Sequence, residues 1–389
     1  MHFKTWMRVI ALLAVFALVL AACGDSTEDT QADDTTAATS APDTPDTTMA
    51  PDTPETTMAP DTPETTEAPV AAYKACEVTD TGGVDDRSFN QSAWEGALKA
   101  EADLGVEVKV LESQSAADFE PNINSLIADD CDLVITVGFL LGDATLAAAT
   151  ANPDVSFSII DYAYGPANPG NIVSHVYATN EGAFLAGYVA AGMTQTGTIA
   201  TYGGQDIGGP VTDFMDGFVW GARYYNQEKG TDVQVLGWNP DTKEGLFTGN
   251  FESIEDARTL SVSLADEGAD IFLGVGGQIS QGSAALAQER GDMWVIGVDS
   301  DWFLSVPQFS DVVLTSVLKK IDVSVYDTIA LGVEGAIEGG MVVNTMANGG
   351  IDIAPFHDAD SSVPAELKAE LEQIKAAIVD GSLDIVISG

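Results

Sequence analysis

Residues 76–111 read CEVTDTGGVDDRSFNQSAWEGALKAEADLGVEVKVL, which is a short apolar run, a polar loop, an amphipathic stretch and a second apolar run. The apolar runs predict strands over residues 76–79 and 106–111, and the stretch between them predicts a helix over residues 90–104. Repeated units of this kind call for a parallel sheet that is covered by helices on both faces. The stretch therefore predicts an α/β fold.

The same alternation continues along the chain in two successive series. The first series predicts further strands over residues 133–137, 155–160 and 172–177, with helices over 118–128 and 143–151. The second series predicts strands over residues 198–202, 233–236, 271–275 and 294–298, with helices over 212–228, 254–267 and 280–290. Two such series predict two lobes, each a doubly wound parallel sheet.

The last ninety residues add two predicted strands, over 312–318 and 342–345, and two predicted helices, over 323–338 and 364–380. We expect these elements to weave between the lobes. The expected organisation is a first lobe over residues 71–182 with part of 312–345, a second lobe over 183–311, and a C-terminal segment over 346–389 that packs on both.

Polar and glycine-rich segments follow the predicted strands, at the places where open α/β sheets bind ligands. These segments are residues 80–90, 138–143, 161–169, 203–212, 276–280 and 299–302. Two lobes that face each other with such loops would form a cleft able to close by a hinge motion.

The first residues indicate where the protein works. Lys4 and Arg8 precede an apolar run that ends in Leu-Ala-Ala-Cys at Cys23, and this pattern predicts a secretory signal over residues 1–23. The run is shorter than the ~20 apolar residues of a spanning helix. The end of the run resembles a bacterial lipobox, which implies that Cys23 is lipidated; the alternative is a plain signal with an incidental cysteine.

Residues 24–70 contain no Lys, Arg or aromatic residue, and a nine-residue unit, APDTPDTTM, recurs in them with small changes. Such a segment buries too little apolar surface to offset the entropy lost on ordering. We predict a disordered tether that holds the folded part off the membrane. The alternative, a low-complexity spacer that is merely tolerated, predicts almost the same behaviour. The Thr and Pro content would also permit O-glycosylation.

The folded part is strongly acidic. The tether holds 12 of the 60 acidic residues and the signal holds two of the 15 basic residues, so 48 acidic and 13 basic residues remain. The negative electrostatic field of these residues repels polyanions. We therefore do not expect DNA, RNA or nucleotides as partners.

Two cysteines, Cys76 and Cys131, lie near the starts of predicted strands. If these strands are neighbours in a parallel sheet, the two sulfur atoms come within bonding reach, and an exported location permits the bond. We predict a disulfide, with two buried free thiols as the alternative.

Residues 81–94, TGGVDDRSFNQSAW, form the densest group of polar and aromatic residues. The two glycines permit a tight turn, and Ser88 or Asn90 can cap the helix that follows. An ordinary polar loop with a helix cap would show the same pattern.

This stretch resembles the opening of the basic membrane protein family of lipoproteins, which includes purine nucleoside receptors of ABC importers. The order and the spacing of the motifs are similar to those of the family across nearly all of residues 73–345. The other matching motifs are DLVITVGFLLGDAT, VSFSIID, NEGAFLAGYVAAGMT, FMDGFVWGARYYN, FTGNFES, ADIFLGVGGQ, VIGVDSD and LTSVLKKIDVSVYD. The resemblance implies a two-lobed type I periplasmic-binding-protein fold that holds a nucleoside, expected to be a purine nucleoside, and presents it to the permease and ATPase subunits of an importer.

The resemblance also implies ligand-binding positions at the edges of the cleft. The positions carried over are Asp86, Phe89, Asn90, Phe139, Asp143, Phe251, Gly276, Gly277, Asp299 and Lys319. Asp299 resembles the carboxylate that receives two ribose hydroxyls, and Lys319 the lysine paired near it, which would keep that carboxylate ionised.

Some of these assignments have rivals. Phe247 competes with Phe251 as the aromatic residue that contacts the base, and Lys320 is adjacent to Lys319. Where many members carry Asn-Asp-Pro after the aromatic, this chain has Glu-Ser-Ile at residues 252–254, so a purine preference follows less firmly than nucleoside binding.

Three other classes of function stay open. The chain has no Walker loop, no dinucleotide fingerprint, no nucleophile elbow and no local metal-ligand pairing, which speaks against an enzyme and predicts no cofactor. A receptor for a sugar or another small neutral ligand could use the same residues. A purely structural surface lipoprotein would explain the tether but not the cleft motifs.

Overall fold

The computed structural model of the protein describes residues 72–388. The predicted signal with Cys23 and the predicted tether over residues 24–70 lie outside the described residues. Within the described range, no helix is both long enough and apolar enough to cross a membrane.

The first part of the chain alternates strands and helices as the sequence predicts. In chain order its elements are β1 (Lys74–Thr79), α1 (Phe89–Leu104), β2 (Glu107–Leu111), α2 (Phe119–Ala128), β3 (Leu133–Val137), α3 (Gly142–Ala151), β4 (Ser156–Ile160), β5 (Ile172–Tyr177) and α4 (Thr179–Met193).

The second part repeats this alternation and then adds a C-terminal section. Its first elements are β6 (Thr198–Gly203), α5 (Gly209–Lys229), β7 (Gln234–Leu236), β8 (Trp238–Asn239), β9 (Glu244–Gly245), α6 (Ile254–Asp266), β10 (Ile271–Val275), α7 (Gln281–Arg290) and β11 (Trp294–Asp299). The remaining elements are α8 (Trp302–Ser305), β12 (Val313–Lys319), α9 (Ile321–Val333), β13 (Gly340–Asn344), β14 (Ile351–Ile353) and α10 (Ala365–Val379).

The strands form two large sheets with the same internal order. The first sheet has the order β13-β5-β4-β3-β1-β2, and the second has β14-β12-β11-β10-β6-β7. All pairings in both sheets are parallel except that of β14, which runs antiparallel to β12. The predicted pair of doubly wound parallel sheets is confirmed.

The chain changes sheet three times within the described residues. It leaves the first sheet after β5, returns to it after β12 to form β13, and then crosses again to add β14 to the second. The two crossing helices pack accordingly: α4 lies against α5 and β14, and α9 lies against α1. Both sheets are therefore completed only by the last fifty residues of the chain.

Glycines allow the crossing helix α4 to approach α5 very closely. A Cβ atom at Gly187 of α4 would lie 2.0 Å from the carbonyl oxygen of Phe218, and one at Gly221 of α5 would lie 2.0 Å from that of Phe184. No side chain fits at these distances, so the two backbones are in direct contact. The two aromatic rings beside them are fully buried and form part of the main core.

Cys76 and Cys131 form a disulfide, which confirms the prediction. Cys76 lies in β1 and Cys131 lies two residues before β3, and β1 and β3 are parallel neighbours. Both residues are buried in the cluster beneath α2 and α3.

The strand and helix predictions are confirmed to within a few residues at most ends, with four omissions and one overlong helix. The helices α4 and α8 are missing from the prediction: α4 is buried on nearly all sides and so shows no amphipathic period, and α8 has only four residues. The hairpin β8–β9 and the strand β14 are missing from the prediction because two or three residues give no periodicity. Helix α9 ends at Val333, before the predicted residue 338, because Gly335 adopts a left-handed conformation with φ 67°.

Replacing both Cys76 and Cys131 by alanine is expected to lower the free energy of unfolding by about 2–4 kcal/mol, because the bond closes a long loop in the unfolded chain. Urea unfolding followed by circular dichroism measures this change. Dithiothreitol should shift the wild-type midpoint and leave the double variant unchanged; an equal shift of both would contradict the stabilising role.

Candidate functional site

A cleft lies between the carboxyl ends of strands from both sheets. Its lining comes from the loops after β1, β3 and β4 on one side and from the loops after β6, β9, β10 and β11 on the other, with the first turns of α5 and the end of β12. The cleft has about 610 Å³ of space free of protein atoms, part of which is open to solvent. Parallel strands direct their carboxyl ends to one edge of the sheet, which is why these loops converge.

Nine of the ten predicted binding residues line this cleft. They are Asp86, Phe89, Asn90, Phe139, Phe251, Gly276, Gly277, Asp299 and Lys319. Asp143 is exposed in the first turn of α3 and does not line the cleft. A short 3-10 turn over Phe139–Leu141 directs Phe139 inwards and carries Asp143 past the edge, so its predicted contact has no support in the geometry.

Asp86 anchors the start of α1. Its carboxylate accepts hydrogen bonds from the backbone N–H groups of Ser88 (2.9 Å), Asn90 (2.8 Å) and Gln91 (3.0 Å). Burial raises the pKa of Asp86, and these backbone bonds oppose that rise. Ser88 is the N-cap residue of α1, one of the two predicted, but its side chain makes no capping bond, and Asp86 provides the capping oxygens instead.

Asp80 and Asn90 form a polar pair at the end of β1. Asn90 Nδ2 donates to Asp80 Oδ1 at 2.8 Å, whereas the buried Asn90 Oδ1 has no hydrogen-bond partner among the described residues. Burial raises the pKa of Asp80 to about 8, although the bond from Asn90 lowers it. An unpaired buried acceptor that borders a cleft is a position at which a ligand N–H or O–H group would be satisfied.

Lys319 is the central cation of the cleft. It is 2% exposed, and its Nζ atom donates to Asp161 Oδ2 of the first lobe. The same amine lies 4.8 Å from the ring centre of Phe89 and 4.9 Å from that of Tyr177. The neighbouring Lys320 is only partly buried and precedes α9, so Lys319 is the lysine that belongs to the cleft.

The structure corrects the partner expected for Lys319. Its direct ion pair is with Asp161, whereas Asp299 receives a hydrogen bond of 2.8 Å from the Ser88 hydroxyl through Oδ2. Burial raises the pKa of Asp299 to about 6, and the charge of Lys319 lowers it. Burial raises the pKa of Asp161 as well, and the same charge opposes that rise.

Asp161 and Asp299 occupy equivalent places in the two lobes. Asp161 directly follows β4 and has a φ of 69°; Asp299 ends β11 and has a φ of 67°. Left-handed backbone is unfavourable for most residues other than glycine, and Asp is among those that adopt it most readily. Both turns direct a carboxylate into the cleft from opposite sides.

Of the two candidate aromatics, Phe251 lines the cleft and Phe247 does not. The ring of Phe251 lies against the backbone of Gly204 and Gly276, where a Cβ atom would be 2.3 and 2.8 Å from Phe251 Cδ1. Phe247 packs at 6.0 Å, edge to face, on Trp238 in the second lobe. The two glycines thus form a notch that holds the Phe251 ring at the cleft wall.

Twelve further lining residues are not assigned individually from the sequence, although ten of them lie in the polar segments predicted to border the cleft; Phe214 and Val275 lie outside those segments. The most informative of the twelve are Asp80, Asp161, Ile207, Pro210, Val211 and Phe214. The two aspartates each follow a predicted strand directly, which is the available signal for them. The four apolar residues lie before and within the first turns of α5, where they look like ordinary core positions. No cluster of His, Cys, Asp or Glu that could hold a metal ion occurs within residues 72–388.

Residues 74–381 match the Bmp family, which is described as "ABC transporter substrate-binding protein PnrA-like". The chain belongs to this family. The resemblance stated from the sequence is thereby confirmed, and the match covers nearly all of the described residues.

Similar proteins carry related names. The "ABC transporter nucleoside-binding protein BmpA" of Lactococcus lactis subsp. cremoris is 32% identical over 332 residues, which cover 80% of this chain and 88% of that protein. An uncharacterized lipoprotein of Pyrococcus abyssi is 29% identical over 323 residues, covering 80% of this chain and 76% of that protein.

A solved structure supports the fold. The ABC transporter solute-binding protein of Aeropyrum pernix K1 has a TM-score of 0.72 and 26% identity, and the likeness covers 80% of this chain and 92% of that one. This Bmp-family chain is therefore a substrate-binding protein of ABC transporters with the type I periplasmic-binding-protein fold, and it is not an enzyme.

Replacing Lys319 by methionine is expected to lower the free energy of unfolding by about 3–5 kcal/mol, because Asp161 would keep a buried charge without a partner. The double variant Lys319→Met/Asp161→Asn should lose much less, since asparagine tolerates the left-handed backbone and carries no charge. A double-mutant cycle from urea unfolding measures the coupling. Additive losses would show that the two side chains do not interact.

The raised pKa of Asp80 makes stability depend on pH. An acid with a pKa of about 8 in the folded protein and 3.8 in the unfolded chain binds its proton more tightly when folded. The favourable contribution of this group to the free energy of unfolding is therefore full below about pH 4, and it is lost progressively as the pH rises from about 4 through 8. Asp80→Asn should be more stable than wild type by more than about 1 kcal/mol at pH 8, with a difference that shrinks towards pH 5.

The exposed Asp143 provides the control for this pH experiment. Asp143→Asn should follow the wild-type curve when stability is measured by urea unfolding at each pH from 5 to 8. A difference between wild type and Asp80→Asn that stays constant over this range would show that Asp80 does not titrate there.

Proposed function

We propose that this protein captures a nucleoside in the cleft and delivers it to the permease and ATPase subunits of an ABC importer. The observation that carries the proposal is that two aromatic rings, four carboxyl groups and one buried lysine line a single cleft, in a chain whose relative is named for nucleoside binding. The cleft chemistry favours this ligand class for three reasons.

The first reason is the pair of aromatic side chains on opposite lobes. Phe89 begins α1 of the first lobe, and Phe251 is held in the second lobe by its glycine notch. A nucleobase is flat, and stacking on an aromatic ring contributes about 1–3 kcal/mol per base in single-strand binding. Closure of the lobes would bring both rings to one base.

The second reason is the distribution of hydrogen-bond acceptors. Asp299 uses Oδ2 for Ser88, so its other oxygen remains for ligand hydroxyls, and Asn90 Oδ1 and the Asp80 carboxylate border the first-lobe side. A nucleoside brings hydroxyl donors on its ribose and N–H donors on most bases. Hydrogen bonds to a charged acceptor are stronger than those between neutral groups, which suits a vicinal diol at Asp299.

The third reason is charge, which selects nucleosides over nucleotides. Asp86, Asp161 and Asp299 line the same cleft as a single amine, that of Lys319, and this amine is already paired with Asp161. A phosphate group would enter a field of carboxylates with no free cation among the described residues that line the cleft. Repulsion and desolvation would both weaken its binding.

We also propose that the protein is anchored on the extracytoplasmic face of the cell membrane through a lipid on Cys23, with residues 24–70 as the tether. The Leu-Ala-Ala-Cys sequence and the lipoprotein name of the Pyrococcus relative support this placement. The disulfide is consistent with it, because such bonds persist outside the reducing cytoplasm.

Thermal unfolding with a panel of nucleosides, bases, nucleotides and sugars tests the ligand class. A nucleoside at ~100 times its dissociation constant should stabilise the protein by about 2.7 kcal/mol. Inosine, guanosine or adenosine should shift the transition, and the corresponding monophosphates should not. Stabilisation by a sugar but by no nucleoside would overturn the proposed ligand and leave the fold unaffected.

The variant Asp299→Asn should weaken the dissociation constant of that nucleoside by roughly 10- to 100-fold, because the charge-assisted bonds to its hydroxyls are lost. Isothermal titration calorimetry gives this ratio. Asp143→Asn removes the same charge outside the cleft and should bind as wild type does. Equal effects of the two substitutions would show that Asp299 acts only through overall charge.

A further inference from the structure

One hydrogen bond joins the two lobes at the rim of the cleft. The Thr81 hydroxyl, which follows Asp80 in the first lobe, donates to the Glu252 carboxylate, which follows Phe251 in the second lobe. Thr81 lines the cleft and Glu252 is exposed outside it. Each partner is therefore the immediate neighbour of a residue that forms the cleft wall.

Glu252 is held in place by its own loop. Asn250 Oδ1 accepts hydrogen bonds from the backbone N–H groups of Glu252 (3.2 Å) and Ser253 (2.7 Å), and the Thr248 hydroxyl donates to the Asn250 carbonyl oxygen at 2.8 Å. The backbone N–H of Thr248 in turn donates to the carbonyl oxygen of Gly203 at the end of β6. The loop is thus fixed to the second sheet.

The carboxylate of Glu252 is also oriented locally. Its Oε2 atom accepts from the backbone N–H of Phe251 at 3.2 Å, while Oε1 receives the hydroxyl of Thr81. One side chain therefore connects the backbone of the cleft aromatic to the opposite lobe. Movement of the lobes apart must break the bond to Thr81, whereas the contact with Phe251 can persist.

Besides the ion pair between Lys319 and Asp161, other interlobe bonds lie on the loop of residues 86–90. The Ser88 hydroxyl lies 2.9 Å from the Val298 carbonyl oxygen, and the Ser300 hydroxyl donates to the Arg87 carbonyl oxygen at 3.0 Å. These bonds involve the turn that carries Asp299, so changing them would also disturb the ligand site. The bond between Glu252 and Thr81 is the one whose acceptor can be changed without altering a residue of the cleft wall.

We propose that Glu252 is a positioning residue that latches the closed cleft and sets the rate of ligand release. This role rests on the proposed function for its ligand, but the latch itself is a property of the two lobes. Solvent weakens this exposed bond to the level of an ordinary hydrogen bond, which changes an equilibrium by about 2- to 10-fold. A change of this size in the equilibrium between closed and open lobes would keep a ligand bound for longer and would still let a transporter open the cleft.

The test compares release rates in three variants. Glu252→Ala removes the acceptor, Glu252→Gln keeps an acceptor oxygen without the charge, and Glu255→Ala removes a charge from an exposed position three residues further along the chain. With inosine as the probe, stopped-flow fluorescence should show release about 2- to 10-fold faster in Glu252→Ala and little change in association. Glu252→Gln should fall between Glu252→Ala and wild type, and Glu255→Ala should match wild type.

A second measurement keeps the latch testable if inosine does not bind. Small-angle X-ray scattering of the protein without added ligand reports how far the lobes open, and Glu252→Ala should have a larger radius of gyration than wild type and Glu255→Ala. A wild-type protein that binds no nucleoside but shows this difference would overturn the proposed function and support the latch. Unchanged scattering, or nucleoside release at the wild-type rate in Glu252→Ala, would overturn the latch.

Discussion

The ion pair between Lys319 and Asp161 connects the end of a strand in one lobe with the turn after a strand in the other, and the electrostatics of the cleft depend on it. Four buried or partly buried carboxylates face the same space, and burial raises the pKa of each of them. The charge of the Lys319 amine offsets part of the free-energy cost of burying the carboxylates of Asp161 and Asp299. Such an arrangement lowers stability, which is common where a site is kept for binding.

The duplicated sheet order explains how these groups come together. Asp161 after β4 and Asp299 at the end of β11 hold matching positions in two sheets of the same topology, and both adopt left-handed backbone. The turn geometry therefore directs a carboxylate towards the cleft twice. Ser88 then joins the two halves, because its hydroxyl reaches Asp299 while Asp86 fixes the start of its helix.

The sequence predicts the two sheets well because regular βα units produce a strong period and apolar strands. It predicts most of the cleft wall because loops after parallel strands converge, and the family resemblance selects residues within them. It does not predict the partner of Lys319, since a pairing across 158 residues depends on how the lobes face each other. Asp143 illustrates the same limit: a single 3-10 turn decides whether a loop residue points inwards.

The order of strands along the chain has a consequence for biogenesis. The first sheet receives β13, and the second receives β14, only after every other strand has been made. A chain synthesised from its N-terminus therefore presents an incomplete sheet edge beside β5 until its last fifty residues arrive. A truncation that removes residues 340–389 would uncover the edges of β5 and β12 in both sheets at once, and uncovered strand edges favour aggregation.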